Sequence, residues 1–446
     1  MRTAGLVWLA STLLLALPGA PLLAHRAFGR IPAAGRALLA GAAGAALTSF
    51  TMTAFALCGV PWSVPGVLGT AILLGFLLRP ALRAGGGDLP VSLTPGPRNR
   101  IAAAAGFVAA IAVVAALLAT AAGAASSPDL VFFWGPKAQR FALARTVDAV
   151  YLADPALRYM HAYYPPLVTN LYALASMAAG RMAWTAATLL FPALLAALGI
   201  GLPGILRTLA GARPAAAASA SALAIAALAY VGMEADVGGN AEMPLLVFET
   251  LAIAVLLSPL SLAPAGQLLS GILLAGAVTA KVEGLPFALT AIAVFPWARR
   301  REIRPASVLL RLAGPPAVSL LAWFAFGEKT HLFRGYSGEG PLLALHPEHL
   351  GAVARAMASA LAATGHALPW LVPFACLLAV AGRLGRDAAL PLVTAAGLAA
   401  FLLFTYLDRP GDPSQWIAWS APRVFSPLPM LFALAALTAR DRVSDG

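Results

Sequence analysis

The sequence predicts an all-α polytopic membrane protein of about 13 transmembrane helices, with a large external loop after the fourth. Three observations carry this expectation. Only 11% of the 446 residues are charged and 60% are hydrophobic, whereas soluble domains carry about 25% charged residues. Apolar stretches of roughly 17–25 residues, the length of helix that crosses a bilayer, recur from end to end. Arginines gather in short loops between those stretches, as the positive-inside rule expects.

Taken in order, the expected spans are 3–23, 37–59, 64–79, 101–125, 182–206, 214–232, 241–260, 266–280, 284–297, 306–326, 366–382, 388–406 and 422–439. The run Met1 to Ala24 reads as a retained first helix, since its apolar core is long and further spans follow. Arg26, Arg30 and Arg36 share one loop, and Arg79, Arg83, Arg98 and Arg100 another. Arg299, Arg300, Arg301 and Arg304 form a third, with Arg383, Arg386, Arg440 and Arg442 in two more. All of these loops fall on the cytoplasmic side only if 165–181 is not a full span. That stretch is therefore expected to lie in the interface or to re-enter.

The net charge of +12 does not indicate nucleic-acid binding, because the basic residues follow the loops rather than one soluble face. The two cysteines, Cys58 and Cys376, sit in apolar segments and offer neither metal spacing nor a disulfide. The acids Asp129, Asp148, Asp154, Glu234, Asp236, Glu242, Glu283, Glu328, Glu339, Glu348, Asp408 and Asp412 fall on the non-cytoplasmic side, which suggests a working face built by loops 126–166, 327–350 and 407–421.

Four segments carry residues suited to chemistry. Asp129 follows a span and precedes the apolar-aromatic run Leu130 to Trp134, with Lys137 beyond it. Partial desolvation there would make its carboxylate a usable base; the same residue also suits a helix cap. The loop closes on His161, Tyr163, Tyr164 and Pro165-Pro166, and Trp134, Tyr159, Tyr163 and Tyr164 suit either a sugar platform or an interfacial aromatic belt. Glu234, Asp236 and Glu242 put three acids in nine residues, enough to hold a divalent cation or polarise a hydroxyl, or to form a solvated turn. Glu249, two turns deeper, must be neutral or paired.

Lys281 and Glu283 mark a break between two short apolar segments, where the lysine either meets a phosphate or pairs with Glu283. Arg423, after Trp416 and Trp419, is expected to open an outer-side span and is shaped for bidentate phosphate recognition. The histidines His161, His331, His346 and His349 show no metal-ligand spacing and read as surface residues.

In order, these segments resemble the GT-C superfamily of membrane glycosyltransferases, which includes protein O-mannosyltransferases and lipid A aminoarabinose transferases. The likeness rests on an aspartate opening the first external loop (Asp129), Tyr-Tyr-Pro-Pro-Leu about 35 residues on, Glu242-Met-Pro-Leu opening a span, Lys281-Val-Glu-Gly284, and Trp419-Ser-Ala-Pro-Arg423. It covers roughly 101–300 and 405–430. The family more often has Asp where Glu242 stands, Asp236 competes for that role, and Leu130 replaces a second acid found in many relatives.

The resemblance implies a GT-C-like catalytic core over 101–300, with the helices of 1–100 outside the recognisable family core and C-terminal helices over 301–446. It implies Asp129 and Glu242 as catalytic residues, and Lys281 and Arg423 beside a lipid phosphate. Trp134, Lys137, Tyr163, Tyr164, Asp236 and Glu283 complete the expected substrate-binding set. The implied partners are a polyprenyl-phosphate sugar donor, the bilayer, and a glycan, lipid or protein acceptor. The sequence names no definite cofactor; the acidic turn could hold a divalent cation. The implied location is a bacterial cytoplasmic membrane with the site facing the periplasm. A transporter or flippase of a lipid-linked precursor is the competing expectation, and a non-catalytic scaffold the third.

Overall fold

The computed structural model describes residues 2–82, 128–210, 238–303, 305–333, 345–362, 367–408 and 413–439. Among these residues the structure is helical, with one isolated antiparallel bridge between Leu384 and Ala439. The principal helices are α1 (Arg2–Leu13), α2 (Ala16–Leu23), α3 (Ala33–Cys58), α4 (Val64–Leu78), α5 (Gly135–Ala144), α6 (Leu167–Ala179), α7 (Trp184–Ala210) and α8 (Glu242–Leu257). They continue as α9 (Pro264–Ala280), α10 (Gly284–Ala298), α11 (Pro305–Lys329), α12 (Leu350–Ala362), α13 (Ala367–Ala379), α14 (Ala389–Leu407), α15 (Ser414–Val424) and α16 (Pro427–Ala436).

Six helical segments among the described residues are long and apolar enough to cross a membrane: Thr3–Leu23, Ala33–Cys58, Val64–Ala81, Trp184–Leu206, Ala306–Lys329 and Arg386–Leu407. Three shorter apolar helices, Leu167–Ala179, Pro264–Ala280 and Gly284–Ala298, pack among them. The protein is thus all-α, with the helices of a multi-pass membrane protein. The expected spans 101–125 and 214–232 lie outside the described residues.

Small and polar side chains hold the bundle together, as expected where lipid removes the hydrophobic drive between helices. Gly19 on α2 and Gly44 on α3 lie where a Cβ would run into the facing helix's backbone, so these helices pack at backbone contact. Asn170 on α6 donates to the Ser49 carbonyl and hydroxyl and to the Thr53 hydroxyl of α3, at 3.2–3.3 Å. Trp8 on α1 rests against Tyr172 of α6.

Hydrogen bonds sort the helix termini into two ends. At one, Lys329 at the close of α11 donates to the Leu57 carbonyl of α3 (2.7 Å), and the Trp62 amide, just before α4, donates to the Arg145 carbonyl (2.7 Å). Trp323 of α11 donates to the Tyr163 carbonyl at the same end. At the other, Arg299 after α10 donates to the Leu257 carbonyl closing α8 and sits 3.5 Å from Asp387 before α14. Gly35, at the start of α3, backs onto the Gly201 carbonyl late in α7. The arginine loops around Arg26–Arg36, Arg299–Arg301 and Arg383–Arg386 therefore gather at the end remote from loop 128–166.

The expected span 422–439 is corrected, and of the two placements expected for 165–181, interfacial or re-entrant, the first is excluded. The stretch 165–181 folds as α6, a 13-residue helix whose first ten residues are almost all buried in protein, so it does not lie along an interface. Both its ends stay near loop 128–166: Asn170 meets the last turns of α3, and Gly180 and Arg181 line a cavity with Trp62–Pro65 and Arg145. The expected span 422–439 is broken at Phe425–Ser426, and Arg423 lies in the last turn of α15 instead of opening a helix.

Candidate active site

The segments singled out in the sequence converge on one cavity of about 430 Å³ at the end carrying loop 128–166. Each side chain arrives by a different local device. Asp129 heads a π-helical turn, Leu130–Trp134, in helical geometry and without capping that turn. Its Oδ2 instead accepts from Nη1 of Arg423 at 2.8 Å, which excludes the capping role. The widened turn stacks Phe133 and Trp134 edge to face, and both rings line the cavity.

Glu242 is the first residue of α8. The chain reaches it through Gly239, whose φ of +84° is costly for any residue with a Cβ. A Cβ at Gly239 would also strike Leu130, and its carbonyl accepts from the Tyr172 hydroxyl at 2.9 Å. One glycine thus sets the Glu242 helix against the Asp129 turn.

Lys281 ends α9 in an extended conformation, and Gly284 opens α10 where a Cβ would meet the Ala277 carbonyl. Pro286 falls in the first turn of α10, where its missing N–H costs nothing. The three-residue break leaves Lys281 and Glu283 in the cavity wall. Lys281 Nζ lies 3.0 Å from Glu242 and 2.9 Å from Glu283, so it pairs with both carboxylates. Arg423 lies 3.6 Å from Glu242 as well as 2.8 Å from Asp129. Three carboxylates and two cations therefore form one network, with Arg423, Lys281, Glu242 and Glu283 all buried.

The network sets the chemistry of Asp129. Burial, with help from the Glu242 carboxylate, pushes Asp129 above the ordinary aspartate range, against the downward pull of Arg423 and Lys281. That makes it a stronger base than an exposed aspartate. Desolvation of the half-buried Tyr164, with the Glu283 carboxylate nearby, pushes its hydroxyl up, so it stays protonated and available as a hydrogen-bond donor.

The aromatic wall holds residues that sequence reasoning missed. His161, expected at the surface, lines the cavity with a left-handed φ of +48° and stacks on Tyr164, ring centroids 4.9 Å apart. The Tyr163 hydroxyl is 3.1 Å from its Nδ1. On the far wall, α14 contributes Phe401, Leu402, Thr405 and Tyr406, and α15 adds Trp416 and Ser420. Tyr406 and Ser420 share a 3.0 Å hydrogen bond, and the Tyr406 ring meets Trp416 edge to face.

Not every candidate reaches the cavity. Lys137 stands behind the wall: its Nζ lies 3.7 Å from the Phe133 ring centroid and 4.6 Å from that of Trp134, and donates to the Met160 carbonyl at 3.0 Å. Burial holds it well below the ordinary lysine range, but donation to a carbonyl serves either charge state. Asp148 caps the turn Ala149–Leu152 and pairs with Arg140, while Asp154 accepts from the Ala156 amide. Glu348 pairs with His346. Asp148, Asp154 and Glu348 thus serve turns and surface pairs.

Asp236 and Glu234 lie outside the described residues, as does the loop structure that would test the cation expected there. Among the described residues no group of three or more His, Cys, Asp and Glu is placed to hold a metal ion. Glu249 is buried in α8 with neither carboxylate oxygen hydrogen-bonded, so of the two states expected for it, neutral or paired, the paired one is not found. Compared with known proteins, the chain matches no family model, no curated protein and no solved structure.

Proposed function

We propose that this protein is a membrane glycosyltransferase of GT-C type, which transfers a sugar from a polyprenyl-phosphate donor to an envelope acceptor. The observation that carries the reading is the network Asp129–Arg423–Glu242–Lys281–Glu283 inside one aromatic-walled cavity. It puts a candidate base and two candidate phosphate ligands within reach of one small substrate.

The chemistry runs as one displacement. Asp129 takes the proton of an acceptor hydroxyl, whose oxygen bonds to the anomeric carbon of the donor. The bond from that carbon to the phosphate oxygen breaks, and its electron pair leaves with the phosphate. Arg423 and Lys281, fixed before the reaction, stabilise the charge that develops there. Glu242 and Glu283 hold the two cations in place until phosphate shares them. Tyr163, Tyr164, His161 and Trp134 form the platform for the sugar, and Phe401 and Leu402 offer an apolar wall to the carrier lipid. The site faces the periplasm, the arginine loops the cytoplasm.

A single in-line attack inverts the anomeric centre. Purified protein incubated with a polyprenyl-phosphate sugar of known anomer is therefore expected to yield product of the opposite anomer by NMR; retained configuration would sink the scheme.

One observation favours a second reading. A buried carboxyl without hydrogen bonds, such as Glu249, is what a proton-coupled transporter places within the membrane. That reading leaves the cavity network without a task. A Glu249→Gln variant separates the two: transfer persists in a transferase, whereas coupled transport is lost.

A further inference from the structure

At the end remote from the active-site cavity lies a second cleft, lined by Ala298, Arg299, Arg301, Glu302 and residues 384–387. It is built by two loops, the one after α10 and the one before α14. Three helices connect it with the cavity. α8 runs from Glu242 to the Leu257 carbonyl held by Arg299, α10 runs from the Lys281–Glu283 break to Ala298, and α14 starts just after Asp387 and carries Tyr406. Sixteen helical residues of α8 separate the two sites by about 24 Å.

The charges in this cleft divide into two groups. Arg299 is largely covered and lies 3.4 Å from Glu302 and 3.5 Å from Asp387, so both carboxylates are engaged by it. Arg301 and Arg386 are exposed and add two further positive charges to the same wall. The Arg386 guanidinium sits over the ring of Trp297, 5.7 Å from its centroid, and Trp297 itself is half exposed at the end of α10. A tryptophan at a helix end is the side chain that settles at headgroup level in a bilayer. A guanidinium such as that of Arg386 beside it, or of Arg301 on the same cleft, is shaped to chelate a phosphate with two parallel N–H donations.

We infer that this cleft binds the phosphate headgroup of an anionic phospholipid in the leaflet opposite the active-site cavity. Arg301 and Arg386 take the phosphate, Trp297 lies along the lipid's glycerol region, and Arg299 keeps Glu302 and Asp387 from repelling it. The inference does not depend on the reaction carried out in the cavity.

The same loops supply their own control. Arg300 and Arg383 are exposed arginines on those loops that do not line the cleft. Diffuse attraction to a negative leaflet would count all four alike; a built site would not. The full-length protein is delipidated in a neutral detergent and titrated with phosphatidylglycerol, phosphatidylcholine or inorganic phosphate, with bound species read by native mass spectrometry. Wild type is expected to retain phosphatidylglycerol over phosphatidylcholine. Arg301→Gln/Arg386→Gln is expected to bind it roughly thirtyfold more weakly, and Arg300→Gln/Arg383→Gln about as well as wild type. Equal losses in the two double variants would overturn the proposal in favour of diffuse charge. Equal retention of both lipids by wild type would overturn it whether or not the variants fold, and saturation by inorganic phosphate alone would show a free-anion site instead.

Discussion

Asp129 sits between opposing influences whose sum decides its reactivity. Burial and the Glu242 carboxylate push it above the ordinary aspartate range, and Arg423 and Lys281 pull it back. A general base acts only when ionised, so the rate of transfer should fall as pH drops through a value above that range. Glu242→Gln removes an upward influence and should move this acidic limb toward lower pH. Arg423→Gln removes a downward one and should move it the other way. Profiles of kcat/KM against pH measure both; shifts in the same direction would show that the limb belongs to another group.

His161 and Lys137 show why some residues could not be assigned from sequence. The role of His161 depends on stacking over Tyr164 and on a left-handed backbone, neither of which its neighbours in sequence announce. Lys137 belonged to the substrate-binding set that the resemblance implied. Its partner, the Met160 carbonyl, is 23 residues away and carries no side-chain signal.

At the level of elements, three short non-helical joints position the charged groups of the cavity: Gly239–Ala241 before Glu242, Lys281–Glu283 between α9 and α10, and Phe425–Ser426 after Arg423. Gly239 is under two constraints at once, its positive φ and its contact with Leu130. Gly239→Ala is therefore expected to destabilise the protein by more than about 1 kcal/mol, the usual cost of side-chain strain at such a position. It should also lower transfer more than a surface substitution such as Leu143→Ala. Thermal unfolding in detergent and the transfer assay together check this; unchanged values in both would mean the joint is not the hinge of the site.

The Lys281–Glu283 break was legible because two charges interrupt apolar helices. The end of α15 was not. Pro422, Pro427 and Pro429 allow a helix to start at several points, and in the fold Tyr406 packs against Trp416 and Phe425 around the break that leaves Arg423 in a last turn. The wall from Phe401 to Tyr406 was equally hidden, because on paper it is one more apolar helix.

Across the whole molecule, the helices join an end rich in arginine loops to an end that holds the cavity. Composition and periodicity made the membrane class legible, since they depend on the bilayer and not on tertiary detail. Six helices long and apolar enough to cross a membrane stand among the described residues. The two ends predict a labelling pattern. In a background with Cys58 and Cys376 replaced, cysteines at the exposed positions Ala153 and Gly382 should react with a membrane-impermeant thiol reagent from opposite sides of the membrane. Reaction of both from one side would contradict the two-ended arrangement.

Whether the cavity around Asp129 transfers sugar can be read in cells. The gene is deleted and complemented with wild type or with Asp129→Asn at matched abundance, and envelope glycans are compared by mass spectrometry. The account predicts that a sugar disappears on deletion and returns only with wild type, the missing residue naming the donor. Full restoration of that sugar by Asp129→Asn would contradict it.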